Sequence, residues 1–319
     1  MFDLKNGVLA AQARIHPYVR ETPLDRSIPL SKITGNHVFL KCENLQYTGA
    51  FKARGACNRL LTLTPEERER GVVTVSSGNH GAAVARGLQL FNIKGIVFVP
   101  ENTASTKLEN IANYGAPIER YSTHWIETET HARDYAKEHQ MTFISPYNDL
   151  EVIHGQGTIG LELSQQLKKI DAVFVPIGGG GLISGIAGYL KAVSPHTKII
   201  GALPANSPVM AESIKAGHIV EMETLPTLSD ATQGGIEKGS ITFELCQQLV
   251  DDYVLVSEAE IKDAMVTLIK THHLLVEGAS GVALGALMKT ASQYANQNVV
   301  AVLSGGNVNV ETLKQILCT

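Results

Sequence analysis

The sequence has no apolar run approaching the roughly 18 residues that a membrane-spanning helix needs, so no membrane partner is expected. It has no basic excess either. The formal net charge is −4, which argues against a broad surface for nucleic acid. Cysteine is sparse. Cys42, Cys57, Cys246 and Cys318 form no CxxC and no other ligand spacing, and reduced thiols in a cytoplasmic protein are the expectation. Internal repeats, low-complexity tracts and obvious linkers are absent. The opening stretch MFDLKNGVLAAQARIHPYVR interrupts its short apolar segment with Asp3, Lys5 and Arg14, which suits an amphipathic helix and makes a poor signal peptide.

What is present is the composition of a globular protein, 44% hydrophobic and 18% charged. A chain of 319 residues is too long for one ordinary core and predicts two domains or one large α/β unit. Short apolar, β-branched runs recur at Val72–Val75, Gly95–Pro100, Ala172–Ile177, Lys198–Leu203 and Val299–Leu303. Continuous runs of this kind fit parallel strands covered on both faces. Helical patterns separate them. Residues 155–170 place Ile159, Leu163, Leu167 and Ile170 on one face, and 258–275 do so with Ile261, Met265, Leu268 and His272. Thr64-Pro65-Glu66-Glu67 reads as a capped helix start, with the helix ending before Gly71. The alternation predicts an α/β fold with mainly parallel sheets.

Three of the runs end in turns rich in glycine and small polar residues. Gly178-Gly179-Gly180-Gly181 joins a strand to the helical stretch that opens with Leu182. Its glycines allow close approach of the backbone, and a helix N-terminus offers free N–H groups to a phosphate. The turn lacks the Lys-Ser/Thr of a P-loop and the G-x-G-x-x-G spacing, so a single phosphate suits it better than a nucleotide. Ser76-Ser77-Gly78-Asn79-His80-Gly81 is dense in donors and suits a carboxylate at a helix start. Ser304-Gly305-Gly306-Asn307 closes the last run. Ligands in open α/β sheets bind at such carboxyl ends of strands. A fourth turn, Thr48-Gly49-Ala50-Phe51-Lys52, carries a lysine. A lysine is ordinarily a solvated charge, but a partly desolvated one has a depressed pKa and acts as nucleophile or base.

Together with Thr22-Pro23-Leu24, Lys41-Cys42-Glu43-Asn44-Leu45-Gln46 and Gly155-Gln156-Gly157-Thr158, these segments resemble the fold-type II pyridoxal-phosphate enzymes, in particular the threonine/serine dehydratase and serine racemase group. The resemblance runs through most of the chain. It implies a two-domain, tryptophan synthase beta-like fold with pyridoxal 5′-phosphate between the domains. Residues 1–70 and 148–319 would form the large domain and 71–147 the small one. It implies that Lys52 holds the cofactor aldehyde as a Schiff base and later takes the Cα proton. Phe51 and Asn79 would flank the pyridine ring, and Asn79 would also bond its hydroxyl. Gly178, Gly179, Gly180, Gly181 and Leu182 would cradle the phosphate, and Ser304 would face the pyridine nitrogen. Ser76, Ser77, Asn79 and His80 would hold the substrate carboxylate.

The activity so implied is a carbon–nitrogen lyase turning L-threonine or L-serine into a 2-oxo acid and ammonia. Some positions depart from the simplest pattern of the group. Ser77 stands where many of its dehydratases carry Ala and its racemases carry the Ser that protonates the opposite face, which leaves a serine-type racemase as the alternative. Leu203-Pro204 and Val209 replace the ligands of a divalent cation, so no metal is expected. Asp230-Ala231, the stretch Gln233-Gly234-Gly235-Ile236-Glu237, and Tyr147, at the expected place of the substrate side chain, keep hydroxyaspartate, phenylserine and a hydroxyectoine-pathway intermediate open as substrates. A β-replacement synthase fits less well, because those enzymes carry Thr-Ser-Gly-Asn-Thr-Gly at the second turn. A non-catalytic metabolite-binding protein is countered by the intact Lys52. The end of the chain soon after the Ser304 turn leaves no room for a regulatory domain, and a homodimer is expected from the resemblance alone.

Overall fold

The computed structural model describes residues 2–318. Its strands are β1 (Leu24–Ser27), β2 (His37–Lys41), β3 (Val72–Val75), β4 (Gly95–Val99), β5 (Ile118–Arg120), β6 (Thr142–Phe143), β7 (Ala172–Pro176), β8 (Lys198–Pro204), β9 (Asp252–Val256) and β10 (Asn298–Val302). They form two sheets, one six-stranded in the order β1-β2-β10-β7-β8-β9 and one four-stranded in the order β5-β4-β3-β6. Every pairing is parallel except β1 with β2. The fold is α/β with two sheets, as the sequence predicts.

The five apolar runs are the central strands. β3 and β7 are buried along their whole length, which is why they read as unbroken hydrophobic segments. Of the remaining strands, β1, β5, β6 and β9 lie at the sheet edges, and β2 lies inside the large sheet between β1 and β10. β5 is mostly exposed and β6 has two residues, so neither carries a periodic signal.

The capped start at Thr64 is realised as a full capping box on the helix Pro65–Arg70, which ends at Gly71. The helix read over 258–275 runs Glu258–His272 and buries Ile261, Ala264, Met265 and Leu268. The one read over 155–170 runs instead over Leu150–Gln166. It begins earlier because Asp149 caps it, accepting from the N–H groups of Glu151 and Val152. Leu167 is its C-cap and Ile170 lies beyond it. Every residue from Val152 to Leu163 is buried, so no one-sided stripe exists to mark its limits.

This helix organises the large sheet's side of the molecule. Gly155 meets the backbone of Arg54 and Gly55, and Gly157 meets that of Gly185, so added side chains would push the neighbouring helices Lys52–Leu61 and Gly181–Val193 away. Gln156 Oε1 accepts from the Gly55 N–H (3.2 Å). The Gly155-Gln156-Gly157-Thr158 segment is thus a packing device that sets two helix starts relative to one another. Cys42, Cys57 and Cys246 are free and buried, and Cys318 is free and exposed. Among the described residues no helix is long and apolar enough to cross a membrane.

Candidate active site

Parallel strands deliver their carboxyl ends to one side of a sheet, and the four turns meet there. The Lys52 loop is laced to the Ser304 turn by backbone bonds. The Asn44 N–H donates to Leu303 O (2.9 Å), Phe51 to Ser304 O (3.0 Å) and Gly306 to Gly49 O (2.8 Å). Gly49 has φ +70°, and its missing side chain leaves room for the carboxamide of Asn307.

Lys52 opens the helix Lys52–Leu61. Its Nζ donates to Pro146 O (2.7 Å) and stands 5.0 Å from the centroid of the Phe51 ring. Burial pushes its pKa down to about 8, with the carboxyl of Glu277 opposing the shift. A carbonyl oxygen does not compensate an ammonium as a carboxylate does, and the neutral amine is therefore within reach near neutral pH.

The second turn follows β3. Ser76 is buried, and its hydroxyl accepts from the Gly78 N–H (3.2 Å). Ser77 and Asn79 are half-buried, and the helix Asn79–Phe91 starts without a side-chain cap. Its first N–H groups have no partners within the helix and are available to an anion. His80 is turned inward. Its Nε2 lies 3.2 Å from Ile144 O, which only accepts, so Nε2 carries the proton. Its Nδ1 is buried with no partner, and burial, with the nearby Lys52 charge, lowers its pKa to about 3. The imidazole is neutral, and what His80 offers at the turn is its backbone N–H.

The glycine turn follows β7. Gly180 has φ +86° and caps the helix Gly181–Val193, which has no side-chain cap; Leu182 is buried in its first turn. The glycines have protein neighbours of their own. A methyl group on Gly179 would run into the Tyr147 ring, and one on Gly181 would meet the Tyr147 backbone at 3.0 Å. Thr242 Oγ1 donates to Gly179 O (2.6 Å). Tyr147 therefore packs against this turn, and its hydroxyl accepts from the Glu237 N–H (3.0 Å). Glu237 in turn pairs with Arg133 (2.7 Å), a link from the small sheet's helix Trp125–Glu138 to the loop before Ser240. The atypical stretch 233–237 thus has a structural partner in Tyr147.

Ser304 is buried and its hydroxyl has no partner. An orphaned buried hydroxyl at Ser304 and two helix starts without side-chain caps, one of them opened by the glycine turn, fit one phosphorylated ring compound with a carboxylate beside it. Sequence reasoning missed Glu277. It is buried, and its Oε2 accepts from Asn79 Nδ2 (2.8 Å). Burial raises its pKa to about 7, with the Asn79 bond opposing. It follows no strand run. Its only local signal is an acid placed just ahead of the small-residue helix Gly278–Lys289.

At the end of β8, Leu203 is buried in the core, and Val209 begins the helix Val209–Ala216. Among the described residues no three His, Cys, Asp or Glu side chains are grouped to hold a metal ion.

Comparison with known proteins agrees with the site's chemistry. The family model for pyridoxal-phosphate dependent enzymes matches residues 15–305. The chain belongs to that family, and its cofactor is pyridoxal phosphate. It is 39% identical over 311 residues to the catabolic L-threonine dehydratase of Staphylococcus aureus (strain USA300), covering 96% of this chain and 90% of the relative. Among solved structures it resembles the processed threonine deaminase isoform 2 of Solanum lycopersicum (TM-score 0.94, 34% identity, 98% of this chain and 87% of that one). It also resembles maize serine racemase (TM-score 0.92, 36% identity, 98% and 95%).

Proposed function

We propose that this chain is an ammonia-lyase that converts a small hydroxy amino acid, L-threonine or L-serine, to a 2-oxo acid and ammonia. The observation that carries the reading is Lys52, a half-buried lysine whose amine has a carbonyl for a partner and a pKa lowered by desolvation, at the meeting point of the four turns. When bound, pyridoxal phosphate supplies a conjugated system that takes up the electron pair left as Cα loses its proton.

The chain's residues do the rest. Gly178, Gly179, Gly180, Gly181 and Leu182 hold the phosphate at the helix start, Phe51 and Asn79 flank the ring, and Ser304 bonds its nitrogen. Ser304 is a neutral partner, which leaves the ring a weaker electron sink than a carboxylate would and favours prompt loss of the β-hydroxyl. Ser76, Ser77 and the backbone N–H groups of Asn79 and His80 hold the substrate carboxylate. Lys52 Nζ is the base for the Cα proton, and a pKa near 8 leaves a useful share of neutral amine at physiological pH.

A second reading rests on Ser77. Ser76 is buried whereas Ser77 is half-buried, which makes Ser77 the more accessible hydroxyl of this turn to exchange a proton on the opposite face of Cα, as a racemase requires. One assay separates the two. The holoenzyme is incubated with L- and D-serine, threonine, hydroxyaspartate and phenylserine, and both 2-oxo acid and the opposite enantiomer are measured. A 2-oxo acid from L-threonine or L-serine supports the lyase, and enantiomer as the main product supports the racemase. Neither product from any substrate overturns both.

The boundaries that fit are residues 1–70 with 148–319 around the six-stranded sheet and 71–147 around the four-stranded one. A homodimer is the proposed assembly, on the resemblance to the family alone. The free cysteines suit a cytoplasmic location.

A further inference from the structure

Asn79 is held by two side chains from the other sheet's side of the molecule. It follows β3 of the four-stranded sheet, whereas Asn307 follows β10 of the six-stranded sheet and Glu277 precedes the helix Gly278–Lys289 packed on that sheet. Asn307 Nδ2 donates to Thr48 O (2.8 Å) and to Asn79 Oδ1 (2.7 Å). Asn79 Nδ2 donates to Glu277 Oε2 (2.8 Å).

These bonds leave one orientation for each amide. Thr48 O is a backbone carbonyl and only accepts, so the nitrogen of Asn307 must face it. Both N–H groups of that nitrogen are then used, and the atom of Asn79 it meets must be the oxygen. The other end of the Asn79 carboxamide is its NH2, and one of its two N–H groups goes to Glu277. One N–H of the carboxamide remains unassigned.

We propose that Glu277 and Asn307 are positioning residues for Asn79, fixing its carboxamide so that the remaining N–H is presented to the ring hydroxyl of pyridoxal phosphate. The inference rests on the reading above that Asn79 bonds that hydroxyl. It also means that the ring's partner on the small-sheet side is set by groups on the large-sheet side, so cofactor binding reports the relative placement of the two.

The test is a fluorescence titration of the apoprotein with pyridoxal phosphate, with the absorption maximum of the bound cofactor recorded. The variants are Asn79→Ala, Asn307→Asp, the double variant, Glu277→Leu and Glu277→Gln. Asn307→Asp keeps shape but cannot donate to Asn79. It weakens cofactor binding about three- to tenfold and shifts the absorption maximum, as expected for one misdirected hydrogen bond. In the Asn79→Ala background Asn307→Asp has no further effect, because Asn79 carries its action. Glu277→Leu weakens binding, and Glu277→Gln, which keeps an acceptor oxygen, restores most of it.

An equal loss from Asn307→Asp in both backgrounds, or no loss in either, overturns the proposal while leaving the role of Asn79 standing. If Asn79→Ala itself changes neither affinity nor absorption, the role of Asn79 falls and the proposal with it. Melting temperatures of the apo variants guard against misfolding, and Glu277→Gln supplies the answer if Asn307→Asp proves unstable.

Discussion

Two basic residues stand two positions apart at the start of one helix, Arg54 fully buried and Lys52 half-buried, and their surroundings differ. Arg54 lies in a closed ionic cluster. It bonds Glu43 through Nε and Nη2 (both 2.8 Å) and Glu162 through Nη1 (2.6 Å) and Nη2 (2.9 Å). Lys41 joins from β2, donating to Glu162 (2.5 Å) and to Thr22 O (2.8 Å). Two cations meet two carboxylates. Burial acts against the charge of Arg54, but Glu43 and Glu162 outweigh it and raise its pKa. For Glu43, burial is likewise outweighed by Arg54 and its pKa falls. Lys52 has only partial compensation from Glu277, and near it lie two atoms without partners, Ser304 Oγ and His80 Nδ1, while Glu277, bonded to Asn79, is pushed up to about 7 by burial. The lesson is that burial alone does not make a site. Paired buried charges make a rigid support, and unpaired ones next to it make a reactive group.

The comparison can be broken at either residue. Lys52→Met should lose at least the roughly 10²–10⁴-fold that a positioned base contributes to turnover, measured as 2-oxo acid formation. It should not cost the apoprotein stability. The Lys52 pKa is lower in the folded chain than in the unfolded one, so its penalty is full below pH 8 and fades as pH rises toward 10.5. Urea unfolding of Lys52→Met should therefore show equal or greater stability at pH 7, with the gain vanishing by about pH 10.5. A large loss of stability at pH 7 would place Lys52 in the support instead.

Arg54→Met should do the reverse. It leaves Glu43 and Glu162 with Lys41 alone, and a buried pair broken on one side costs about 3–5 kcal/mol. The same urea experiment measures it, and a cost under about 1 kcal/mol would dissolve the contrast.

His80 sharpens the picture on the acid side. Its folded pKa is about 3, so between pH 6.5 and 3 the unfolded chain binds the proton and the folded one does not. Stability is lost as pH falls through that window, about 2 kcal/mol of it by pH 5. His80→Gln should flatten this part of the stability–pH curve; an unchanged slope would show that His80 protonates in place.

The smallest effect belongs to the ion pair of Arg133 with Glu237. Arg133 pairs with Glu237 and Glu129, and its side chain is more than a third exposed. Arg133→Gln should change stability by under about 1 kcal/mol, and the difference should shrink in high salt.

Much of this was legible in the sequence. The turns at Ser76, Gly178 and Ser304 are visible because each follows a short, β-branched apolar run that fits a buried strand. Lys52 was visible as a lysine in a glycine-bearing loop, though its lack of a carboxylate partner was not. What stayed hidden depends on contacts between distant residues. Nothing local pairs Arg54 with Glu162, 108 positions away, or sets Glu277 against Asn79, 198 positions away. Tyr147 was placed with the substrate side chain, and the structure shows its ring against Gly179 and its hydroxyl on Glu237.

The claim that Lys52 is the unpaired amine holding the cofactor can be tested directly. The holoprotein is reduced with borohydride and digested, and the phosphopyridoxyl adduct is located by mass spectrometry. The adduct should fall on Lys52 alone. An adduct on Lys41 or any other lysine, with Lys52 unmodified, would contradict the account.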